Sequence, residues 1–100
     1  MKMTICEIND KLVAGFEGEL DTAAADIAEN DLSPLMQCTD HDIVLDCSRL
    51  TYISSSGLRL FLSINKKSKA SDHHVYIKGL SDDLLKVFRM TGFDQLFILL

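Results

Sequence analysis

The sequence predicts an α/β fold with a mixed four- to five-stranded sheet and about three to four helices, in the order β-β-α-β-α-β-α-β. Three observations lead to it. Residues 1–17 contain two strand-like segments around a polar turn, residues 43–47 form an apolar run, and three segments with apolar positions at helical spacing lie between strands. Strands that alternate with helices after a hairpin favour right-handed crossovers that place helices on the sheet.

The N-terminal hairpin is predicted from two strands around a short turn. Residues 1–8 are rich in Met, Thr and Ile, and Asn9 and Asp10 supply the turn. In the next segment Leu12, Ala14 and Phe16 alternate with Val13, Gly15 and Glu17, which predicts the second strand.

The second strand ends in residues 18–21, and a first helix follows. Asp21 or Thr22 can cap an alanine-rich helix that runs through Ala28 and packs closely. Pro34 has no amide hydrogen, but Ser33 before it can act as a cap with Pro34 in the first turn. We therefore expect a kink or a restart at Ser33.

Residues 43–47 are apolar without alternation, which predicts a central strand covered on both faces. An amphipathic helix follows and ends in cations near Lys69, which suit the negative end of its dipole. Its apolar side consists of Leu58, Leu60, Phe61, Leu62 and Ile64.

The C-terminal third predicts a strand, a helix and a final short strand or packed tail. Residues 74–77 form the strand, residues 81–83 can cap and charge the helix start, and Gly92 marks the helix end. Residues 96–100 close the chain. The apolar side of this helix consists of Leu84, Leu85, Val87, Phe88 and Met90.

Composition limits the function. One hundred residues with 47% apolar content predict one domain, residues 1–100, with a single core. No apolar run approaches the roughly 20 residues that span a bilayer, so we expect a cytoplasmic protein that is neither secreted nor membrane-inserted. A net charge of −5 disfavours nucleic acid, and only a small basic cluster at residues 66–69 opposes it.

The cysteines and histidines give no metal pattern. Cys6, Cys38 and Cys47 are odd in number and lack CxxC spacing, so we expect buried free thiols. The histidines at positions 41, 73 and 74 are too few and too badly spaced to complete a metal site with them. We expect no metal and no cofactor.

The three serines at positions 54–56 are the most unusual feature, in a strand-exit segment that turns directly into a helix and that we expect to be exposed. Helix N-termini favour anions, so a phosphoryl group would be stabilised there. The alternative is that these serines only cap the helix. A hydrolase is not expected, because the GxSxG pattern is absent, although His41, His73 and His74 stay open as bases.

Residues 46–58, Asp-Cys-Ser-Arg-Leu-Thr-Tyr-Ile-Ser-Ser-Ser-Gly-Leu, resemble the signature of the STAS domain, the sulfate transporter and anti-sigma factor antagonist family. Residues 18–21 resemble the family's turn into its first helix, and residues 87–93 resemble its C-terminal helix and exit. The three segments occur in the family's order and cover nearly the whole chain. The resemblance implies a single STAS-like domain.

The resemblance to the bacterial antagonists implies a non-enzymatic phosphoprotein. Its partner would be an anti-sigma factor with serine kinase activity, binding would free the sigma factor, and a PP2C-type phosphatase would act on the phosphoserine. The family's acceptor falls on Ser55, with Ser56 and Ser54 as alternates. Asp21 matches an acidic position close to this segment, although it can equally be a helix cap. The implied partner-binding residues are Asp21, Ser54, Ser55, Ser56, Gly57, Leu58 and Arg59.

Two points stay open at this stage. Many family members have Asp where this chain has Ser54, which removes a carboxylate next to the acceptor and leaves the modified serine unsettled. STAS-like proteins also brace the ATPase of lipid-transport ABC systems, a role without a phosphoswitch. The serine triplet favours the switch, because a brace needs no hydroxyl at Ser55.

Overall fold

The fold is a five-stranded mixed sheet with helices packed against it, as the sequence predicts. A computed structural model describes residues 1–37 and 40–100. The strand order is β1-β2-β3-β4-β5; β1 and β2 pair antiparallel, and all other neighbours pair parallel. The strands are β1 (Lys2–Ile8), β2 (Lys11–Leu20), β3 (Asp42–Ile53), β4 (Val75–Lys78) and β5 (Ile98–Leu99).

The hairpin turn between β1 and β2 is the predicted pair, Asn9 and Asp10. Both residues have positive φ angles, 51° and 64°. Two consecutive left-handed residues are what a type I′ turn requires, and Asn and Asp tolerate that conformation best after Gly. The hairpin prediction is confirmed.

In the described residues the strands are connected by α1 (Thr22–Asp31), α2 (Ser33–Met36), α3 (Ser55–Ala70), α4 (Asp82–Thr91) and the 3₁₀ turn Phe93–Gln95. The expected restart at Ser33 is confirmed, but the expected cap is wrong. Leu32 is the N-cap of α2, and Ser33 is already helical. The Ser33 hydroxyl instead donates to the Asn30 carbonyl at 2.7 Å, because the last carbonyls of α1 lack helical partners there.

The core lies on one face of the sheet and receives side chains from all four helices. Ala14, Leu45 and Ile77 form one cross-strand row of this face, and all three are buried. The Phe61 ring of α3 packs on Phe16 of β2, with ring centroids 5.2 Å apart, and on Phe88 of α4 at 6.4 Å. These contacts fix α3, and with it the serines at its start, against the sheet.

The expectation that β3 is covered on both faces is only half right. Ile43, Leu45 and Cys47 are buried in the core, whereas Asp46 on the other face is partly exposed. On that second face Tyr76 is half-buried beneath the Lys11 ammonium, which lies 5.2 Å from the ring centroid. Val44 pairs with Tyr76 on this second face and is buried between β2 and β4, although no described helix covers it. Its burial explains why residues 43–47 form an apolar run.

The two described cysteines, Cys6 and Cys47, differ in burial. Cys47 is buried, and loss of solvent raises the pKa of its thiol to about 12, so it is a structural residue. The expectation of a buried thiol is wrong for Cys6, which is exposed because β1 is an edge strand. Cys38 lies outside the described residues. Cys6 and Cys47 are both free.

The C-terminal elements follow the prediction with one exception. Gly92 ends α4 with a φ of 76°, the left-handed conformation expected of a glycine stop. Residues 98–99 add β5 beside β4. Met90, expected on the apolar side of α4, is 86% exposed. No helix within residues 1–37 and 40–100 has the length and apolar character that a membrane crossing needs.

His41 lies between two carboxylates at the edge of the sheet where β3 begins. Its Nδ1 atom is 2.7 Å from Asp40 Oδ1, and its Nε2 atom is 2.8 Å from Glu7 Oε1. Ionised carboxylates only accept hydrogen bonds, so both nitrogens are satisfied together only in the protonated imidazolium. The hydrogen bond to Asp40, with the nearby negative charges, raises the pKa of His41.

This arrangement predicts a pH-dependent contribution to stability. A histidine whose pKa is raised on folding stabilises fully below its unfolded pKa, near 6.5, and loses that contribution as the pH rises through the folded value. Between pH 6 and pH 8 the wild type should therefore lose more thermal stability than His41→Gln. Melting curves of both proteins at the two pH values test this; parallel losses would contradict it.

Candidate functional site

Two helix N-termini lie side by side at one edge of the sheet. Strands β2 and β3 are parallel and end together, with Leu20 paired to Ile53. A single residue separates the end of β2 from the start of α1, and a single residue separates the end of β3 from the start of α3. The linking residues, Asp21 and Ser54, are the N-caps of these helices. The topology therefore brings Asp21 to the same edge as the serine triplet.

Ser54 is a structural cap with both hydrogen-bonding functions in use. Its hydroxyl donates to the Leu20 carbonyl at 3.0 Å and accepts from the Gly57 amide at 3.1 Å. Its own amide also donates to the Leu20 carbonyl, at 2.9 Å. The residue is only 7% exposed, which corrects the expectation of an exposed segment over residues 54–56. The reason is that β3 continues to Ile53, so Ser54 is still held against β2.

Ser55 and Ser56 are the first two residues of α3 and differ in exposure. Ser55 is exposed, whereas Ser56 is half-buried. The Ser56 hydroxyl accepts a hydrogen bond from Arg59 Nη2 at 3.2 Å. Amides in a first helical turn lack intrahelical acceptors and carry the positive end of the dipole, so this position favours an anion. Ser55 is thus the accessible hydroxyl of the three.

Gly57 allows α3 to approach the two strand ends closely. A Cβ atom at this position would lie 2.8 Å from Ile53 Cγ1 and 2.9 Å from Leu20 Cγ. Both distances are shorter than the van der Waals contact between two carbon atoms, and both neighbouring side chains are buried. The glycine therefore fixes where the serines sit. Leu58 points into the core, and Arg59 is exposed.

Gly57→Ala should lower the free energy of unfolding by about 1 kcal/mol. Alanine favours a helix by about 1 kcal/mol over glycine, but overpacking of this kind costs about 1–3 kcal/mol, so the clash outweighs the helix propensity. Urea unfolding of the wild type and the variant measures the difference. A variant more stable than the wild type would show that the strand ends relax freely.

Asp21 is confirmed as a cap of α1. Its Oδ1 atom accepts from the Ala24 amide at 2.8 Å, and the residue is exposed. One carboxylate oxygen is engaged in this bond. The cap role and the partner-binding role are compatible, since an exposed carboxylate at this edge can still face a bound protein.

A groove of about 230 Å³ runs between α1 and α3 beside Ser56. Asp26 and Glu29 of α1 line one wall, and Ser56, Arg59 and Ser63 of α3 line the other. Sequence reasoning missed both acidic residues. Their spacing of three on an otherwise alanine-rich helix is the signal that could have placed them on one face.

The three histidines lie away from the serines. His41 and His74 immediately precede β3 and β4, whereas Ser55 follows the other end of β3. The 12 residues of β3 therefore separate them. None of these histidines can act as a base for Ser55. Within the described part of the chain no three potential ligands cluster as a metal site would require.

Comparisons with known proteins identify the family. The STAS domain model matches residues 2–100. BtrV of Bordetella bronchiseptica is 32% identical over 97 residues, which are 97% of this chain and 84% of that protein. The anti-sigma-B factor antagonist of Staphylococcus aureus (strain NCTC 8325 / PS 47) is 34% identical over 79 residues, which are 79% and 73% of the two chains.

Solved structures agree with the fold. The anti-sigma factor antagonist SpoIIAA in its unphosphorylated form superposes with a TM-score of 0.77 at 20% identity, covering 99% of this chain and 87% of SpoIIAA. The phosphorylated form, described as a Bacillus cell fate determinant, gives 0.76 at 21% identity, with coverage of 99% and 91%. The resemblance seen in residues 46–58 thus extends over the chain, which belongs to the STAS domain family of anti-sigma factor antagonists.

Proposed function

We propose that this chain works as an anti-sigma factor antagonist in the cytoplasm, switched by phosphorylation of Ser55. In the unmodified state it binds an anti-sigma factor and thereby frees the sigma factor. The anti-sigma factor is itself a serine kinase that modifies Ser55, and a PP2C-type phosphatase reverses the modification. The chain acts by binding its partner and catalyses no reaction. Residues 1–100 act as one domain.

The observation that carries this proposal is the difference among the three serines. Ser54 is buried with both hydrogen-bonding functions in use, and the Ser56 oxygen already accepts from Arg59. Ser55 is exposed at the first position of α3. A kinase needs an accessible hydroxyl, and a helix N-terminus accommodates the resulting phosphate. The geometry therefore favours the serine that the family pattern also selects.

The partner-binding surface proposed around this serine consists of exposed and half-buried groups from both helices. Asp21, Ser55, Ser56 and Arg59 reach solvent, whereas Ser54, Gly57 and Leu58 are buried. The buried three hold the backbone of the site in place rather than contact the partner. The lipid-transport role is not favoured, because the named relatives are anti-sigma factor antagonists.

The direct test of binding is release of the sigma factor. A preformed complex of the cognate anti-sigma factor with its sigma factor is titrated with unmodified protein, and free sigma factor is measured by size-exclusion chromatography. We expect stoichiometric release. His41→Gln, changed at the opposite edge of the sheet, should release as much as the wild type. Failure of the wild type to release any sigma factor would overturn the proposal.

A further inference from the structure

Arg59 lies one turn into the helix that carries the serines, and it forms no ion pair with any residue in 1–37 or 40–100. Its only described side-chain contact is the hydrogen bond from Nη2 to Ser56 Oγ at 3.2 Å. No carboxylate lies within 4.0 Å of its guanidinium among the described residues, although Asp26 and Glu29 line the groove beside it. A guanidinium bonded only to a neutral hydroxyl keeps most of its donors available.

The direction of the side chain matters as much as its charge. Helical side chains lean toward the N-terminus of their helix, and residues four apart lie on the same face. Arg59 follows this rule, because it reaches back to Ser56 rather than toward the C-terminal half of α3. Ser55 lies four residues before Arg59 in α3, on the same face of the helix. A phosphate on Ser55 therefore falls within reach of the guanidinium.

We propose that Arg59 is the counter-ion that this chain supplies to the phosphate on Ser55, an inference that rests on the proposed function. In the unmodified protein Arg59 occupies the Ser56 oxygen and leaves Ser55 as the free hydroxyl. After phosphorylation the planar guanidinium of Arg59 pairs with the phosphate oxygens. A guanidinium can donate two parallel hydrogen bonds to a phosphate, which the ammonium group of lysine cannot match. Arg59 thus stabilises the modified state within the chain itself, in addition to the dipole of α3.

The test introduces phosphoserine at position 55 by genetic encoding, so that no kinase is needed. The second pKa of the phosphate is measured by ³¹P NMR in the wild type, Arg59→Gln, Arg59→Lys and Lys66→Gln. Lys66 is the matched control, because it is an exposed cation on the same helix face two turns further on, and its loss changes the net charge equally. Melting curves of the four proteins check that the fold is retained.

A nearby cation favours the dianion, so the phosphate pKa in the wild type should be about 0.5 or more below that in Arg59→Gln. Arg59→Lys should keep most of the lowering, and Lys66→Gln should match the wild type. Equal values in wild type and Arg59→Gln would overturn the inference, as would an equal effect of Lys66→Gln. The proposed function would survive that result, since it depends on loss of partner binding and not on Arg59.

Discussion

Ser55→Asp is expected to lower the affinity for the anti-sigma factor about a hundredfold, which corresponds to roughly 3 kcal/mol. A closely fitted interface must strip water from the new carboxylate, and the desolvation of a charge costs several kcal/mol. The fold should be unaffected, because position 55 is the first residue of α3, where a negative charge complements the dipole. Phosphorylation adds about −1.5 to −2 charges and should act in the same direction.

Binding titrations with purified anti-sigma factor measure this effect. Ser55→Ala should bind within a few fold of the wild type, because it removes only one exposed hydroxyl. Ser81→Asp is the matched control: Ser81 caps α4 through the Leu84 amide at 3.2 Å, and aspartate caps a helix equally well. Wild-type affinity in Ser55→Asp, or an equal loss in Ser81→Asp, would show that a charge at Ser55 is not the switch.

Ser54→Ala is expected to reduce the free energy of unfolding by about 2 kcal/mol. The substitution removes the helix cap, a loss that costs about 0.5–2 kcal/mol, and the upper end applies here because the Gly57 amide that loses its acceptor is buried. The Leu20 carbonyl keeps the Ser54 amide as a donor, so that end of the network survives. The loss should therefore stay below that of a large core truncation.

Chemical denaturation of Ser54→Ala and Ser56→Ala separates the two hydroxyls. Ser56 makes only one described side-chain contact, to an exposed arginine, so its loss should cost less than about 0.5 kcal/mol. Equal destabilisation by the two substitutions would contradict the view that Ser54 is the structural serine and Ser56 a surface group.

Much of the fold can be predicted from local features of the sequence. The Asn9-Asp10 turn, the glycine stop at residue 92 and the Ser81 cap each depend on residues a few positions apart. Such features are legible because a turn or a cap needs particular residue types at fixed offsets. The order of strands and helices followed from the same signals.

The errors arose where contacts over long sequence distance decide the outcome. Ser54 looks as polar as Ser55 in the sequence, and only its pairing with Leu20, 34 residues earlier, buries it. Cys6 looks as apolar as Cys47, but it is exposed because β1 is at the sheet edge and because Cys6, paired with Val13, lies on the face opposite the core. The wall of acidic residues beside Ser56 likewise depends on how α1 packs beside α3. Periodicity along one element cannot reveal such partners.

The most direct test of the phosphorylation switch is to map the phosphate after incubating the purified protein with its cognate anti-sigma factor and ATP. Mass spectrometry of the wild type, Ser55→Ala and Ser56→Ala identifies the modified residue. We expect one phosphate on Ser55 in the wild type and in Ser56→Ala, and none in Ser55→Ala. Phosphate on Ser54 or Ser56 of the wild type, or no phosphate on any serine while the anti-sigma factor remains an active kinase, would contradict it.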